Sequence, residues 1–548
     1  MIPDHPLTRL VVYLLALCQT ALAPCAFVYF VYYLYVSQTP SSFILTDNAP
    51  SDYYLLPTTI HYWLATEMMF YIFFQITRNR MQQTGPSITN SLTRKERRAL
   101  VSLCIANVDS VQDWLPGWFS KEEDFDHSSS PSSMMPEFEE IYRENVIEWL
   151  SWAFFTAPLE DVLQHPDLLK EVEWMTNEVE TTFHVRFPVG YNENLHSKRL
   201  NLDPVNAYHR PLVFYIGIQL MTLSYGLMVL QFGYGMKKYG PEAVHPNLLW
   251  NPVESSSYPP KRHRLQGRQH HYQQQLDTPV TTTQENEEEE ERISYWFRDG
   301  DRSKTPIIFI HGIGAGLMCY APFIHQLMQL GAPIFCIELP FVAMRCVEDV
   351  PTMEEIGHDI QEMLHRHDCQ QAVYVAHSLG TAVASWTLQH LPKTVAGVVL
   401  LDPICFMLHY KDVCTNFVYR TPQTASESVV KYFASSELYI SYYISRHFHW
   451  FQCALYVTPI IDEPRRKNHK RNSRIGSTAL ATTTMPRNTK IFLSEHDNIV
   501  NSPQVYAYLS KQGMDTEMMV GLDHASFLMH PTWQRQIIDT VTDYIHAK

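Results

Sequence analysis

The sequence predicts an α/β fold for its C-terminal half: a mostly parallel sheet with helices on both faces, preceded by an N-terminal membrane-anchored helical region. Three observations carry this expectation. From residue 293 onward short apolar runs alternate with helical patterns, at 293–297, 307–310, 334–337, 372–375, 398–401, 491–493 and 518–520, which is the pattern of a covered parallel sheet. One of these runs leads directly into a serine set among small residues. Near the N-terminus, residues 10–36 form a 27-residue run without a charge, where ~20 apolar residues suffice to cross the hydrocarbon core.

Composition narrows the function classes. In 548 residues, 42 basic and 57 acidic side chains give a formal net charge of −15, so no nucleic-acid partner is expected. With 45% hydrophobic and 18% charged residues, the chain supports one or two buried cores and is neither disordered nor collagen-like. Ten cysteines occur without one C-x-x-C. Neither a zinc site nor a redox motif is suggested, no metal or cofactor is implied, and the cysteines read as free thiols in a reducing compartment.

Residues 1–96 read as a membrane anchor of one or two transmembrane helices. The 10–36 run is too long for the apolar part of a signal peptide, which spans ~7–15 residues. A second segment, 60–76, is shorter and carries His61 and Glu67. No Lys or Arg lies in 37–59, whereas Arg78, Arg80, Arg94, Lys95, Arg97 and Arg98 follow, as expected of a hairpin with both ends cytosolic. A helix lying on the membrane surface is the alternative for 60–76. A third apolar stretch, near 212–234, has basic residues on both sides; a span and a helix packed on the downstream domain or bilayer surface are equally consistent with it.

Residues 97–250, which include that stretch, form a helical accessory region, since 97–205 interleave charged and aromatic positions at i, i+3, i+4 spacing. Residues 251–292 read as a disordered polar linker, low in complexity and poor in apolar side chains, ending in the acidic run 287–291. No internal repeat and no N-glycosylation sequon occurs, which favours a catalytic domain on the cytosolic side.

The chemistry-bearing residues fall within 293–548. In AVYVAHSLGTAVASW, Ser378 follows an apolar strand and precedes a helix, with Ala376 and Gly380 two positions away on either side. A sharp strand-to-helix turn leaves no room there for larger side chains and holds the hydroxyl clear of the sheet. The alternative, Ser378 as an ordinary helix N-cap, leaves both small residues unexplained.

With these residues the region 293–548 resembles the α/β-hydrolase superfamily of serine hydrolases, departing from G-x-S-x-G only in Ala376. The resemblance implies further roles. HGIGAG at 311–316 looks like the family's oxyanion loop, with His311, Gly312 and Gly314 shaping it; the N–H groups of Ile313 and Leu379 would meet the developing negative charge. Asp497 ends a strand 119 residues past Ser378, and His524 follows 27 residues later, the chain order Ser, Asp, His that the family uses. In these roles His524 takes the serine proton and returns it to the leaving group, while Asp497 fixes the imidazole tautomer. Asp402, at the end of VVLLD, is the alternative acid, and His377 beside the nucleophile reads as structural.

The insertion at about 403–489 is rich in aromatics and stands where the family inserts its cap; an apolar cap suits a long acyl chain, although its rings could equally form the cap's own core. Its basic run at 465–474 is either a solvated loop or a patch for anionic headgroups. The resulting expectation is a membrane-anchored serine hydrolase cleaving carboxylic esters, with the lipid bilayer and a lipid or other apolar ester as partners. A serine-dependent acyltransferase and an inactive membrane-tethered scaffold are the alternatives. Epoxide hydrolase and dehalogenase activities are disfavoured, because family members with them use an aspartate nucleophile where this chain has Ser378.

Overall fold

The computed structural model describes residues 4–38, 58–85, 92–121, 135–241, 292–458 and 482–547. Nearly all of the expected linker, with its acidic run, and the basic run at 465–474 lie outside the described residues.

The longer N-terminal helices are α1 (Pro6–Gln38), α2 (Thr58–Gln83), α3 (Arg94–Ala106), α4 (Arg143–Phe155), α5 (Pro166–Thr182) and α6 (Leu212–Ser224), the last continued by a π-helical winding over Tyr225–Gly233. Local sequence explains the clearest boundary. Thr93 and Glu96 form a reciprocal capping box at the start of α3, satisfying two N–H groups that a helix start leaves open.

Eight strands follow: β1 (Lys237–Tyr239), β2 (Ser294–Arg298), β3 (Ile307–Ile310), β4 (Ile334–Glu338), β5 (Ala372–His377), β6 (Val395–Leu401), β7 (Thr489–Ser494) and β8 (Thr516–Met519). They form one sheet in the order β8-β7-β6-β5-β3-β4-β2-β1. The β1–β2 and β2–β4 pairs are antiparallel and the remaining pairs parallel. Seven strands correspond to the apolar runs read from the sequence. The eighth, β1, comes from within 97–250, so the accessory region supplies an edge strand of the sheet.

Period-two side-chain alternation builds two cores, one on each face. Ile308, Ile310, Tyr374 and Ala376 enter the first, whereas Ile307, Phe309, Val373 and Val375 enter the second. The connecting helices are α7 (Ala321–Gln329), α8 (Met353–Arg366), α9 (Gly380–His390), α10 (Ala425–Val429), α11 (Leu438–Arg446), α12 (Ser502–Lys511) and α13 (Pro531–His546). Ile356, Ile360, Met363 and Leu364 of α8 enter the first core, at i, i+4, i+7, i+8 spacing. Residues of α7 and α13 enter the second, together with Tyr225 and Leu230 of the third apolar stretch. That stretch is therefore packed on the sheet along one side while Val213, Leu220 and Phe232 remain exposed.

The accessory region and the cap segment share the first core. Leu100, Trp114, Trp149 and Trp152 join one continuous cluster with Phe406, Ile440 and Phe451. Trp114 and Trp118 both donate their indole N–H to His409 O, and Trp450 donates to Ala153 O. Among the described residues, two helices are long and apolar enough to cross a membrane, Pro6–Tyr33 and Leu212–Gly233. Helix α2 is not one of them. Its Glu67, Phe74 and Met81 are buried, and Phe74 and Met81 pack with Tyr215, Leu438 and Tyr439.

Candidate active site

The parallel strands carry their C-terminal ends to one edge of the sheet, and the loops leaving β3, β5, β6, β7 and β8 converge there, as open α/β sheets place their sites. Ser378 is the first residue after β5 and has φ 49°. A left-handed conformation at a serine costs about 1–3 kcal/mol and persists only where its surroundings hold it. Close packing holds it here: a Cβ on Gly380 would lie 2.5 Å from Ile310 O, and one on Gly312 would lie 2.8 Å from Ser378 Cβ. Only glycine lets the loop after β3 approach the turn so closely.

Ser378 Oγ lies 2.8 Å from His524 Nε2, and His524 Nδ1 lies 2.7 Å from Asp497 Oδ2. The other carboxylate oxygen, Asp497 Oδ1, accepts the N–H groups of Ile499 (2.8 Å) and Val500 (2.9 Å). With Nδ1–H donating to the carboxylate, Nε2 is the acceptor facing the serine hydroxyl. Burial by itself would lower the His524 pKa; the adjacent Asp497 carboxylate outweighs it and pushes His524 up to about 9. Burial raises the Asp497 carboxyl above its ordinary value, against the pull of the imidazole.

Asp402, fully buried, does not bond to His524. Its Oδ1 accepts Ser494 N–H at 2.8 Å; its Oδ2 accepts Ser494 Oγ–H at 3.1 Å and Ala525 N–H at 2.9 Å. Of the two carboxylates weighed from sequence, Asp497 is thus the one in line with the histidine, and Asp402 braces the backbone beside it. Asp402, Asp497 and His524 present ligand atoms within 4.8 Å of one another. Both histidine nitrogens are engaged, however, and three N–H or O–H groups already occupy Asp402, so a cation would have to displace these bonds.

The loop after β3 is held from behind. His311 Nε2 accepts Leu339 N–H at 2.9 Å, which places the proton on Nδ1, 2.7 Å from Gly312 O. Burial lowers the His311 pKa and keeps the ring neutral. The N–H groups of Gly312 and Gly314 are taken by Tyr320 Oη at 3.0 Å and Val342 O at 3.2 Å. Those of Ile313 and Leu379 have no acceptor among the described residues. Leu379 immediately precedes α9, so its N–H belongs to a helix start, where the dipole favours negative charge.

Sequence reasoning missed Tyr320. Having accepted Gly312 N–H, its hydroxyl donates to His377 Nδ1, 2.7 Å away. The His377 proton therefore sits on Nε2, facing Asp402 Oδ2 across 3.8 Å, and burial lowers the ring's pKa. Tyr320, His377 and Asp402 thus connect the loop after β3 to the histidine loop. Sequence gives no signal for the tyrosine, whose role arises only when Gly312 and His377 are brought together. Asp523, beside the histidine, accepts the N–H of His524 (2.8 Å) and of Asn498 (3.2 Å). Its other oxygen accepts Ser426 Oγ–H of α10 at 2.5 Å.

Residues 305–423 match a protein-family model described as "alpha/beta hydrolase fold". Among solved structures, a carboxylesterase study from the ammonia-oxidizing thaumarchaeon Nitrososphaera gargenis is 13% identical, covering 49% of this chain and 98% of that one, with a TM-score of 0.32. Carboxyl esterase 2 from the mycorrhizal fungus Tuber melanosporum is 15% identical over 46% of this chain and 80% of its own, TM-score 0.30. A carboxylesterase from Bacillus subtilis is 11% identical over 45% and 87%, TM-score 0.30. No curated protein matches the chain.

Proposed function

We propose that this chain, whose C-terminal half has the α/β-hydrolase fold, is a membrane-anchored serine hydrolase that cleaves carboxylic esters of apolar or lipid acyl groups. The observation that carries the reading is the unbroken line of two hydrogen bonds, 2.8 Å from Ser378 Oγ to His524 Nε2 and 2.7 Å from His524 Nδ1 to Asp497 Oδ2.

In this mechanism Ser378 Oγ attacks the ester carbonyl carbon as its proton passes to His524 Nε2. The carbonyl oxygen becomes an oxyanion facing the Ile313 and Leu379 N–H groups; one such donor is worth about 10²–10³ in rate. Collapse expels the alcohol, protonated by His524, and leaves an acyl-serine. Water, giving a proton to the same nitrogen, then attacks the acyl carbon; the bond to Ser378 Oγ breaks as His524 returns that proton to Oγ, and the acid departs. Asp497 stabilises the imidazolium in both halves.

Membrane attachment rests on α1, uncharged from 10 to 36. Both ends of the α1–α2 pair return to the catalytic half: Asp4 Oδ1 accepts Ala425 N–H at 3.1 Å, and Arg80 pairs with Glu348 at 2.5 Å. The pair is thus tied to the catalytic half at both ends, and the arginines at the α2 end argue for the cytosolic side.

The test is labelling by a fluorophosphonate probe together with ester turnover, in wild type and Ser378→Ala of the full chain. Wild type is expected to label and to hydrolyse, and the variant to do neither while keeping its membrane attachment. Turnover of the alanine variant above a few per cent of wild type would reject Ser378 as the nucleophile.

A further inference from the structure

We infer that the mouth of the site opens onto the hydrocarbon layer of the bilayer, so that an acyl substrate reaches Ser378 from the lipid phase rather than from water. The inference rests on the hydrolase reading above and adds the route of entry.

The apolar helices touch the catalytic loops from two sides. On one side α6 packs against residues Gly316–Tyr320, the turn that directly follows the loop bearing Gly312 and Ile313. On the other, α1 packs against α10. The Ser426 hydroxyl of α10 holds Asp523, whose other oxygen takes the His524 N–H. The cap is fastened to the same layer, because Leu438, Tyr439 and Tyr442 of α11 pack against Phe74 and Met81 of α2. Ser378 itself is only 8% exposed.

The chemistry of the outer surfaces selects the occupant. On α6 and its π-helical continuation Leu220, Met221, Leu227, Met228 and Phe232 are exposed. On α1 the exposed large side chains include Leu10, Tyr13, Leu14, Leu15, Leu17 and Val28, which at 100° per residue cover more than half of the circumference. A protein partner or a second copy covers one face of a helix, whereas the apolar exposure of α1 extends beyond a single face, as it does for a helix set in a fluid apolar phase. Both segments meet the length for a bilayer, 28 and 22 residues.

Two experiments on the full-length protein test this. In the first, Ser378→Ala protein is reconstituted into phosphatidylcholine liposomes carrying a lipid with a diazirine in its acyl chain, and photolabelled peptides are mapped by mass spectrometry. Labels are expected on 220–232, on 425–429 and on 316–320. Labels confined to α1 would overturn the inference, because the protein would then be tethered with its mouth in water. This readout needs no turnover, so it stands even if the ester-hydrolase reading fails. In the second, wild type and Leu220→Glu/Leu227→Glu/Phe232→Glu are compared on a long-chain fluorogenic ester embedded in the same liposomes and on a short-chain soluble ester. The ratio of embedded to soluble turnover is expected to fall at least about tenfold, given the cost of placing carboxylates against hydrocarbon. An unchanged ratio overturns the inference.

Discussion

Asp402 and Ala525, 123 residues apart, are joined by a 2.9 Å hydrogen bond from the Ala525 N–H to Asp402 Oδ2. The carboxylate at the end of β6 thereby grips the residue that follows His524, while Asp497, at the end of the next strand, grips the imidazole. Ala525 adopts φ 62° and Asp402 φ 42°, so the grip holds two left-handed residues in place.

Replacing each acid by its amide separates these roles. Asp497→Asn loses the charge that fixes the Nδ1–H tautomer, and kcat is expected to fall by about 10⁴-fold, the scale of such a change in a serine triad. Asp402→Asn turns an acceptor into a donor facing either Ala525 N–H or Ser494, at a stability cost of about 1–3 kcal/mol, with a kcat loss well below that of Asp497→Asn. Ester kinetics and chemical denaturation of both variants check the ranking. The opposite order would give Asp402 the orienting role.

The pH dependence follows from the raised His524. Its pKa stands at about 9 against an ordinary 6.5, and the base must be neutral to accept the serine proton. Activity is therefore expected to climb with pH along a limb near 9 rather than near 6.5. In Asp497→Asn the raising charge is gone while burial still lowers the pKa, so the limb moves to lower pH. Stability runs the other way: the pair's contribution is full below about 6.5 and is lost as pH rises through about 9. A kcat/KM profile and denaturation midpoints from about pH 6 to about pH 10 read both effects.

Tyr320→Phe keeps the ring contacts with Phe309 and His377 and removes only the hydroxyl. Gly312 N–H and His377 Nδ1 then lose their shared partner, at about 1–3 kcal/mol for buried groups left unpaired. A positioning role predicts that kcat falls by about 10-fold or more while KM for a soluble ester changes little, because a displaced oxyanion loop weakens transition-state binding selectively. A change in KM alone would refute it.

The sheet was legible because a strand buried on both faces reads as a continuous apolar run, as in Ile307–Ile310, and the nucleophile turn because tight geometry demands small residues at 376 and 380. Strand β1 was hidden. Lys237–Tyr239 is three residues long and polar, and pairing with Trp296 and its neighbours, far along the chain, makes it a strand. The accessory region looked separate for a similar reason, since the tryptophans of 114–152 reveal their partners, His409 O and the cap rings, only in three dimensions. Choosing between Asp497 and Asp402 needed geometry too, as both end apolar strands and differ only in what lies opposite them.

Glu67 offers the last prediction. It stands within the second apolar segment read from the sequence, where a carboxylate argues against a lone span, and the structure gives it a definite task. It is 1% exposed and accepts the N–H groups of Leu212 (2.6 Å) and Val213 (3.0 Å), with the Trp63 indole at 3.2 Å. Its carboxylate thus stands at the open N-terminus of α6, where the donors and the helix dipole both favour negative charge. Pro211 before the helix supplies no side-chain cap, so the acid from α2 takes that place and ties α2 to α6. Glu67→Ala leaves those donors without their acceptor, whereas Glu67→Gln keeps one acceptor oxygen and loses the charge. Amide hydrogen exchange over 212–220 is expected to quicken in the order Ala, then Gln, then wild type, with a matching order of lowered Tm. Protection in Glu67→Ala equal to wild type would mean that packing against the sheet alone anchors α6.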